Sequence, residues 1–302
     1  MTAWPQRAKS NQRPSINMTD QTLEKKPSRW LRKAQWLIGA LALMGFLYMV
    51  GKSWMTPPPP VPAASVKPLT GSCEQVLSGK AGRTDNLKTP NGLRYSVVAP
   101  SNYQANKQHG LLMMYPPAGF NHEMAEHYYQ LTAQANSQGY VVVYSASIPL
   151  SARALRLQNE VVPQVLGNWC IDPQRIVYAG HSDGGTLSTG LTVRAQSPDP
   201  VPSSIVVSAA GITLEDLQQE QCPAPLNVTV LHNPKDDLFP GFGEGTVKWW
   251  GQCMQCAEPA QTEPTGCTVR QCNKGKVLRH CVTAEPHVKL PAVASHLFEW
   301  LD

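Results

Sequence analysis

The stretch RIVYAGHSDGG, residues 175–185, decides the fold of this 302-residue chain. Its first half, residues 175–179, is apolar and partly β-branched, which predicts a buried strand. A turn bounded by glycines follows, GHSDG at 180–184, and the residues after it predict a helix over 185–195. The flanking glycines give a sharp turn the clearance that it needs, so the hydroxyl of Ser182 would be held at the top of a sheet. This G-x-S-x-G motif predicts a strand–turn–helix element that presents Ser182 as a nucleophile.

Short apolar runs alternate with longer helical patterns on both sides of this element, from about residue 72 onward. The alternation predicts the α/β class, with a mostly parallel sheet covered by helices on both faces. Strands are predicted at 94–99, 111–115, 140–144, 175–179, 204–209, 227–231 and 276–282. Helices are predicted at 123–137, 152–169, 185–195, 245–254 and 291–300. Functional side chains of such a sheet belong on the loops at the carboxyl ends of its strands.

The N-terminal segment differs sharply in charge from the rest of the chain. Residues 1–33 hold eight Lys or Arg and two acids, which leaves 18 basic and 19 acidic residues for the remainder. The next 18 residues, 34–51, carry no charge and are long enough to span a bilayer. A basic arm that ends where an apolar run begins indicates membrane topology rather than nucleic-acid binding. We therefore predict a single-pass transmembrane anchor, with the arm in the cytoplasm and the rest periplasmic or extracellular.

Secretion after signal cleavage is the alternative to a retained anchor. A small-residue cleavage site lies around Ala63-Ala64, but the basic arm is long for a signal peptide and the apolar run exceeds the usual length. Between anchor and domain, the linker at 52–71 contains the run PPPPVP, which predicts an extended, semi-rigid spacer. The predicted organisation is a basic arm (1–33), an anchor (34–51), a Pro-rich linker (52–71) and a catalytic domain (72–302).

All eight cysteines follow the apolar run, as an oxidising compartment would permit. Four of them, between residues 253 and 272, could instead suggest a zinc site, but the spacing of the second pair is wider than in a usual zinc knuckle. A redox dithiol at 253–256 is disfavoured because the pair lies far from the first βαβ unit. We therefore expect disulfides, whose connectivity the spacing does not reveal. A bond from Cys73 to Cys170 or to Cys222 would tie the N-terminal edge of the domain.

Ser182 requires two partners, since a serine hydroxyl needs a general base that is itself oriented by a carboxylate. With a serine on a G-x-S-x-G turn, the chain order is serine, acid, histidine. Two acids, Asp236 and Asp237, lie in a polar turn after the strand predicted at 227–231. Among the histidines, His287 combines a loop position with the right order. His181 is adjacent to Ser182 but should point away from it.

The region from residue 73 to residue 301 resembles the α/β-hydrolase superfamily, specifically its secreted polyhydroxybutyrate-depolymerase and feruloyl or acetylxylan esterase branch. The segment CIDPQRI at 170–176, running into GHSDGG, is similar to the approach to the nucleophile in that branch. Residues 232–240 resemble the family's H-G-x-x-D-x-x-x-P loop, whose register implies Asp236 rather than Asp237 as the acid. Residues 272–287 resemble its final strand and catalytic histidine loop, which implies a disulfide from Cys253 or Cys256 to Cys272.

The chain departs from this family pattern at the strand that normally supplies the oxyanion hole. Where the branch usually has H-G, this chain reads YPPAG at 115–119, and proline has no N–H to donate. The predicted oxyanion donors are therefore the N–H groups of Ala118 and of Asp183, the residue after the nucleophile. The sequence HVKLP at 287–291 likewise replaces the usual H-x-W-P.

The resemblance implies a serine esterase that cleaves carboxylic esters through an acyl-enzyme formed on Ser182, with His287 as base and Asp236 as acid. The elbow would be completed by Gly180, His181 and Gly184. No metal, organic cofactor or nucleic-acid partner is expected. A catalytically weak binding or scaffold domain is one alternative, favoured by the double proline, and a serine peptidase is another. No motif specifies the ester substrate or the oligomeric state.

Overall fold

The computed structural model describes residues 71–195 and 200–301, which form a ten-stranded sheet with its helices. The basic arm, the anchor predicted at 34–51 and nearly all of the linker lie outside the described residues. Within the described part of the chain, no helix combines the length and the apolar character needed to cross a bilayer.

The sheet is mixed, with a parallel centre and antiparallel edges. Its strands run in the order β1-β2-β4-β3-β5-β6-β7-β10-β9-β8. The six central strands, from β4 to β10 in that order, are parallel, whereas β1, β2, β9 and β8 pair in antiparallel fashion. The strands are β1 (Gly82–Lys88), β2 (Arg94–Ala99), β3 (His109–Tyr115), β4 (Tyr140–Ser145), β5 (Ile171–His181), β6 (Ser204–Ser208), β7 (Asn227–His232), β8 (Gln261–Thr262), β9 (Thr268–Gln271) and β10 (Val277–Val282).

The predicted mostly parallel α/β sheet is thereby confirmed, and all seven predicted strands are present. Every residue of β3, β4 and β6 is buried, as in parallel strands covered on both faces. The prediction missed the edge strands β1, β8 and β9. The reason is clearest for β1, whose sequence GRTDNLK contains one large apolar residue and therefore no apolar run.

Two of the predicted helices are each divided in the structure. The described residues contain seven α-helices that pack with the sheet. They are α1 (His122–Tyr129), α2 (Thr132–Ser137), α3 (Ala152–Asn159), α4 (Val161–Leu166), α5 (Asp183–Val193), α6 (Leu214–Gln218) and α7 (Phe242–Cys253). The predicted helix at 123–137 breaks because Gln130 adopts a left-handed conformation, with φ 51°. The one at 152–169 breaks before Pro163, which has no N–H to continue the hydrogen bonding of α3.

The helix predicted at 291–300 is instead a 3-10 helix, Ala292–Glu299. Its buried residues include Ala294 and Leu297, and Trp300 follows at the same spacing, also buried. A 3-10 helix aligns side chains three residues apart. This winding therefore places the three side chains in one row.

Four disulfides cross-link the domain: Cys73–Cys170, Cys222–Cys253, Cys256–Cys272 and Cys267–Cys281. The expectation of disulfides over a zinc site is confirmed. Of the alternatives left open by the sequence, Cys73 pairs with Cys170, and Cys272 pairs with Cys256. Four disulfides in one domain indicate an oxidising, extracytoplasmic environment.

Candidate active site

Ser182 lies at the sharp turn between β5 and α5. Its backbone has φ 56° and ψ −122°, a conformation that non-glycine residues rarely adopt. The turn is so tight that a Cβ on Gly180 would lie 2.2 Å from the backbone of Gly184, and one on Gly184 would lie 2.1 Å from the carbonyl oxygen of Tyr115. Both glycines of the motif are thus required by space.

Three side chains predicted from distant parts of the sequence meet at this turn. The Ser182 hydroxyl oxygen lies 2.8 Å from Nε2 of His287, and Nδ1 of the same ring lies 2.9 Å from the nearer carboxylate oxygen of Asp236. All three residues are buried, with Ser182 the most exposed at 9%. The arrangement is an unbroken hydrogen-bonded chain from hydroxyl through imidazole to carboxylate.

The loop after β7 fixes the carboxylate of Asp236. Its Oδ1 accepts hydrogen bonds from the backbone N–H groups of Leu238 and Phe239, at 2.9 and 2.8 Å. Burial would raise the pKa of Asp236, but the hydrogen bonds from His287 and these two amides lower it below the ordinary value. The group is therefore held as a carboxylate, the form that can orient an imidazolium.

Two side chains hold the backbone of His287, and they belong to the residues next to Ser182 and Asp236 in sequence. Nε2 of His181 donates to the carbonyl oxygen of His287 at 2.6 Å, and the His287 N–H donates to Oδ1 of Asp237 at 3.2 Å. With both ring nitrogens also engaged, all four polar groups of His287 have partners. The imidazole is thus positioned through its backbone as well as its side chain.

His181 is itself fixed in a buried site. Its Nδ1 lies 2.9 Å from the hydroxyl of Ser208 at the end of β6. Burial lowers the pKa of His181 to about 4, because the imidazolium form would be desolvated. The neutral ring with its proton on Nε2 matches the two partners, since Ser208 can then donate to Nδ1. The sequence predicted that this ring points away from Ser182, and its two hydrogen-bond partners are the Ser208 hydroxyl and the His287 carbonyl.

The two residues predicted to bind an oxyanion follow the ends of β3 and β5. Asp183 is the first residue of α5, and Ala118 is exposed in a turn that begins at Pro117. The turn is closed by a hydrogen bond from the Phe120 N–H to the Pro117 carbonyl, and Gly119 supplies the positive φ, 79°, that its third position requires. Among the described residues, neither the Ala118 nor the Asp183 amide has a protein acceptor, so both could donate to a bound molecule.

Comparison with known proteins identifies the architecture. No family model and no curated protein sequence matches the chain. Among solved structures, an acetyl xylan esterase from Aspergillus awamori superposes with a TM-score of 0.56 and 12% identity, covering 74% of this chain and 99% of that one. The chain has the α/β-hydrolase fold.

Two further solved structures of esterases resemble this α/β-hydrolase fold. A thermostable esterase has a TM-score of 0.52 and 14% identity, covering 71% of this chain and 60% of its own. An arylesterase also has a TM-score of 0.52, with 13% identity and coverage of 76% and 85%. At these identities the similarity extends to the fold, so roles for individual residues depend on the geometry described above.

Sequence reasoning missed several residues that organise this site. Asp237 was considered only as a rival acid, and Tyr129 and His232 were given no role. The Tyr129 hydroxyl bonds to the backbone of both β3 and β5, while Nε2 of His232 lies 2.8 Å from the carbonyl oxygen of Phe239 and closes the acid loop. The bonds of Asp237 to His287 and of Tyr129 to His181 join residues 50 and 52 positions apart, and no local pattern marks them.

Proposed function

We propose that this chain is a serine hydrolase that cleaves carboxylic esters, with Ser182 as nucleophile, His287 as general base and Asp236 as the orienting acid. The observation that carries the proposal is the hydrogen-bonded chain of 2.8 and 2.9 Å through these three side chains. Its place on a strained turn at the carboxyl end of a central parallel strand supports the same conclusion.

The first half of the reaction forms an acyl-enzyme. Nε2 of His287 takes the proton of Ser182 as the hydroxyl oxygen bonds to the ester carbonyl carbon, and the carbonyl electron pair moves onto oxygen. Asp236 stabilises the imidazolium. The tetrahedral intermediate then collapses, the carbon–oxygen bond to the alcohol breaks, and the imidazolium gives its proton to the departing alcohol.

The second half releases the acid and restores the enzyme. Water loses a proton to His287 as it attacks the acyl carbon, and the Ser182 oxygen leaves with that proton. In both halves the amides of Ala118 and Asp183 donate to the oxyanion. One such donor typically contributes about 10²- to 10³-fold in rate.

Two exposed apolar side chains beside the triad suggest the kind of ester. Leu238, two residues after Asp236, is 59% exposed, and Val288, next to His287, is 78% exposed. We propose that the two side chains form one apolar patch at the mouth of the site, which a substrate with an apolar group would cover. We therefore propose esters with an apolar acyl or aryl group, of the kind that p-nitrophenyl butyrate represents.

The catalytic domain is proposed to be tethered to a membrane by residues 34–51, with the basic arm in the cytoplasm. The four disulfides agree with a domain on the oxidising side. Extraction of membranes with alkaline carbonate tests the tether: the full chain should stay in the pellet. A mature N-terminus near residue 65 in the soluble fraction would contradict it and indicate cleavage and secretion.

The catalytic proposal is tested with the purified full chain and its Ser182→Ala variant. We expect the parent to hydrolyse p-nitrophenyl butyrate with an initial burst and to react covalently with a fluorophosphonate probe. The variant should lose both properties while its circular dichroism spectrum and melting temperature stay near those of the parent.

Two outcomes would overturn the proposal in favour of its alternatives. A parent protein that shows neither burst nor labelling would indicate a binding or scaffold domain. Turnover of casein or dipeptides that exceeds ester turnover would indicate a peptidase.

A further inference from the structure

We propose that Tyr129 is a positioning residue for the oxyanion hole, in which its hydroxyl holds the Ala118 turn and the Asp183 amide at a fixed separation. This inference rests on the proposed ester hydrolysis and goes beyond it, because Tyr129 touches neither the predicted nucleophile nor its base. Tyr129 acts through the backbone segments that contain the Ala118 and Asp183 amides.

The Tyr129 hydroxyl makes two short hydrogen bonds to main-chain groups. It donates to the carbonyl oxygen of Tyr115 at 2.7 Å and accepts from the N–H of His181 at 2.8 Å. Tyr115 is the last residue of β3 and His181 the last of β5. One buried hydroxyl therefore links the ends of the two strands that lead into the two halves of the oxyanion hole.

The double proline explains why such a link is needed. β3 and β5 are paired up to Tyr115 and Gly180, and beyond that rung the chain continues as Pro116 and Pro117, which have no N–H for a sheet hydrogen bond. No rung pairs β3 with β5 beyond this point. The Tyr129 hydroxyl bridges the opening where backbone pairing stops.

The bridge is close to both predicted donors. Ala118 follows Tyr115 by three residues, and Asp183 follows His181 by two. The first turn of α5 also packs directly on this point, since Gly184 has no room for a Cβ beside the Tyr115 carbonyl. Displacement of either strand end would therefore change the distance between the two amides, and catalysis is sensitive to displacements of about 1 Å.

The test compares Tyr129→Phe with Tyr128→Phe in the full chain. Tyr128 is the neighbouring residue on α1, and its buried hydroxyl has no hydrogen-bond partner among the described residues, so it is a matched control. We expect Tyr129→Phe to lower kcat for p-nitrophenyl butyrate about tenfold or more, with KM within twofold of the parent. Tyr128→Phe should leave both constants unchanged.

Two further readouts separate an oxyanion effect from general damage. An alkyl trifluoromethyl ketone forms a hemiketal with the Ser182 oxygen, placing an oxyanion in the hole, so its Ki should rise by the same factor as kcat falls. Amide hydrogen exchange in Tyr129→Phe should accelerate in peptides covering 118–121 and 181–184, with the remaining sheet unchanged.

Several results would overturn the proposal. They are a kcat and Ki within twofold of the parent, a change confined to KM, or exchange that is unaltered or that rises throughout the sheet. A parent without esterase activity or fluorophosphonate labelling would instead refute the proposed function, and the exchange comparison would still test whether Tyr129 links the strand ends.

Discussion

His287 is held by residues adjacent in sequence to Ser182 and Asp236, its two proposed catalytic partners. His181 precedes Ser182, and Asp237 follows Asp236, and both hydrogen-bond to the backbone of His287. Each motif therefore supplies one residue proposed for chemistry and one that places the imidazole. This division of roles distinguishes the two neighbouring aspartates, which the sequence alone separated only by resemblance.

Conversion to asparagine should lower kcat far more at Asp236 than at Asp237. Asp236→Asn should lower kcat by about 10⁴, because an amide no longer holds the required imidazole tautomer. Asp237→Asn should keep kcat within a few-fold, since its amide oxygen can still accept from the His287 N–H. Asp237→Ala removes that acceptor and should lower kcat about tenfold, equivalent to about 1.4 kcal/mol. Steady-state kinetics on p-nitrophenyl butyrate measures all three, and equal losses in both asparagine variants would contradict the assignment.

Buried histidines should make the domain sensitive to acid. Burial lowers the pKa of His181 and of His109 to about 4, from an ordinary value near 6.5. Between pH 6.5 and pH 4 these histidines bind more protons in the unfolded chain than in the folded one. The free energy of unfolding should therefore decrease as the pH falls from 6.5, and the loss should be nearly complete near pH 4. The effect is on the order of 3 kcal/mol for each histidine.

Urea unfolding at pH 7, 5.5 and 4.5 measures this dependence. His109→Gln should flatten it, because one buried imidazole no longer resists protonation. His296→Gln alters a half-buried histidine, whose Nδ1 lies 2.9 Å from Oε1 of Glu299, and serves as the control. An unchanged pH dependence in His109→Gln would show that burial of this ring is not a source of the acid sensitivity.

The turn between β5 and α5 needs Gly180 and Gly184, because neither position has room for a Cβ. Both glycines are visible in the local sequence motif. Gly184→Ala should reduce kcat by at least about 10²-fold, because the new Cβ would lie 2.1 Å from the Tyr115 carbonyl oxygen and would displace the turn. Gly251→Ala is the control: it lies inside α7, where the nearest atom to a new Cβ is 3.6 Å away. That variant should instead gain roughly 0.5–1 kcal/mol in stability. Kinetics and urea unfolding of both variants test the contrast.

The other helices and strands could be predicted when their own residues carried an apolar run or an apolar periodicity. The six central strands and β2 were all predicted, and apolar residues dominate the fully buried strands β3, β4 and β6. Helix α6 was missed, although its Thr213 and Asp216 form a reciprocal capping pair, because a five-residue helix has little apolar periodicity. The edge strands were missed for a similar reason, since β8 has two exposed polar residues. Their pairing partners, rather than their own sequences, make them strands.

The disulfides stabilise the domain as a whole. Their contributions to the free energy of unfolding should increase with the length of the loop that each one closes. Cys73–Cys170 joins residues 97 apart, whereas Cys256–Cys272 joins residues 16 apart. In the chain-entropy description these correspond to about 4.7 and 3 kcal/mol. Replacing Cys73 and Cys170 by alanine should therefore lower the free energy of unfolding by about 1–2 kcal/mol more than the same change at the other pair. Urea denaturation of the two double variants measures the difference, and a larger loss for the shorter loop would contradict the expectation.

The sequence by itself predicted the α/β class, the turn at Ser182 and, with the family resemblance, the candidate triad, because apolar runs, motif glycines and loop motifs are local features of the chain. Tertiary structure alone decided the disulfide partners, the hold of His181 and Asp237 on His287, and the Tyr129 bridge. These contacts join residues far apart along the chain, up to 106 positions in the case of His181 and His287. The residues next to a hydroxyl or a carboxylate in sequence do not reveal its distant hydrogen-bond partner. The partner is identified only when the folded sheet places both groups in contact.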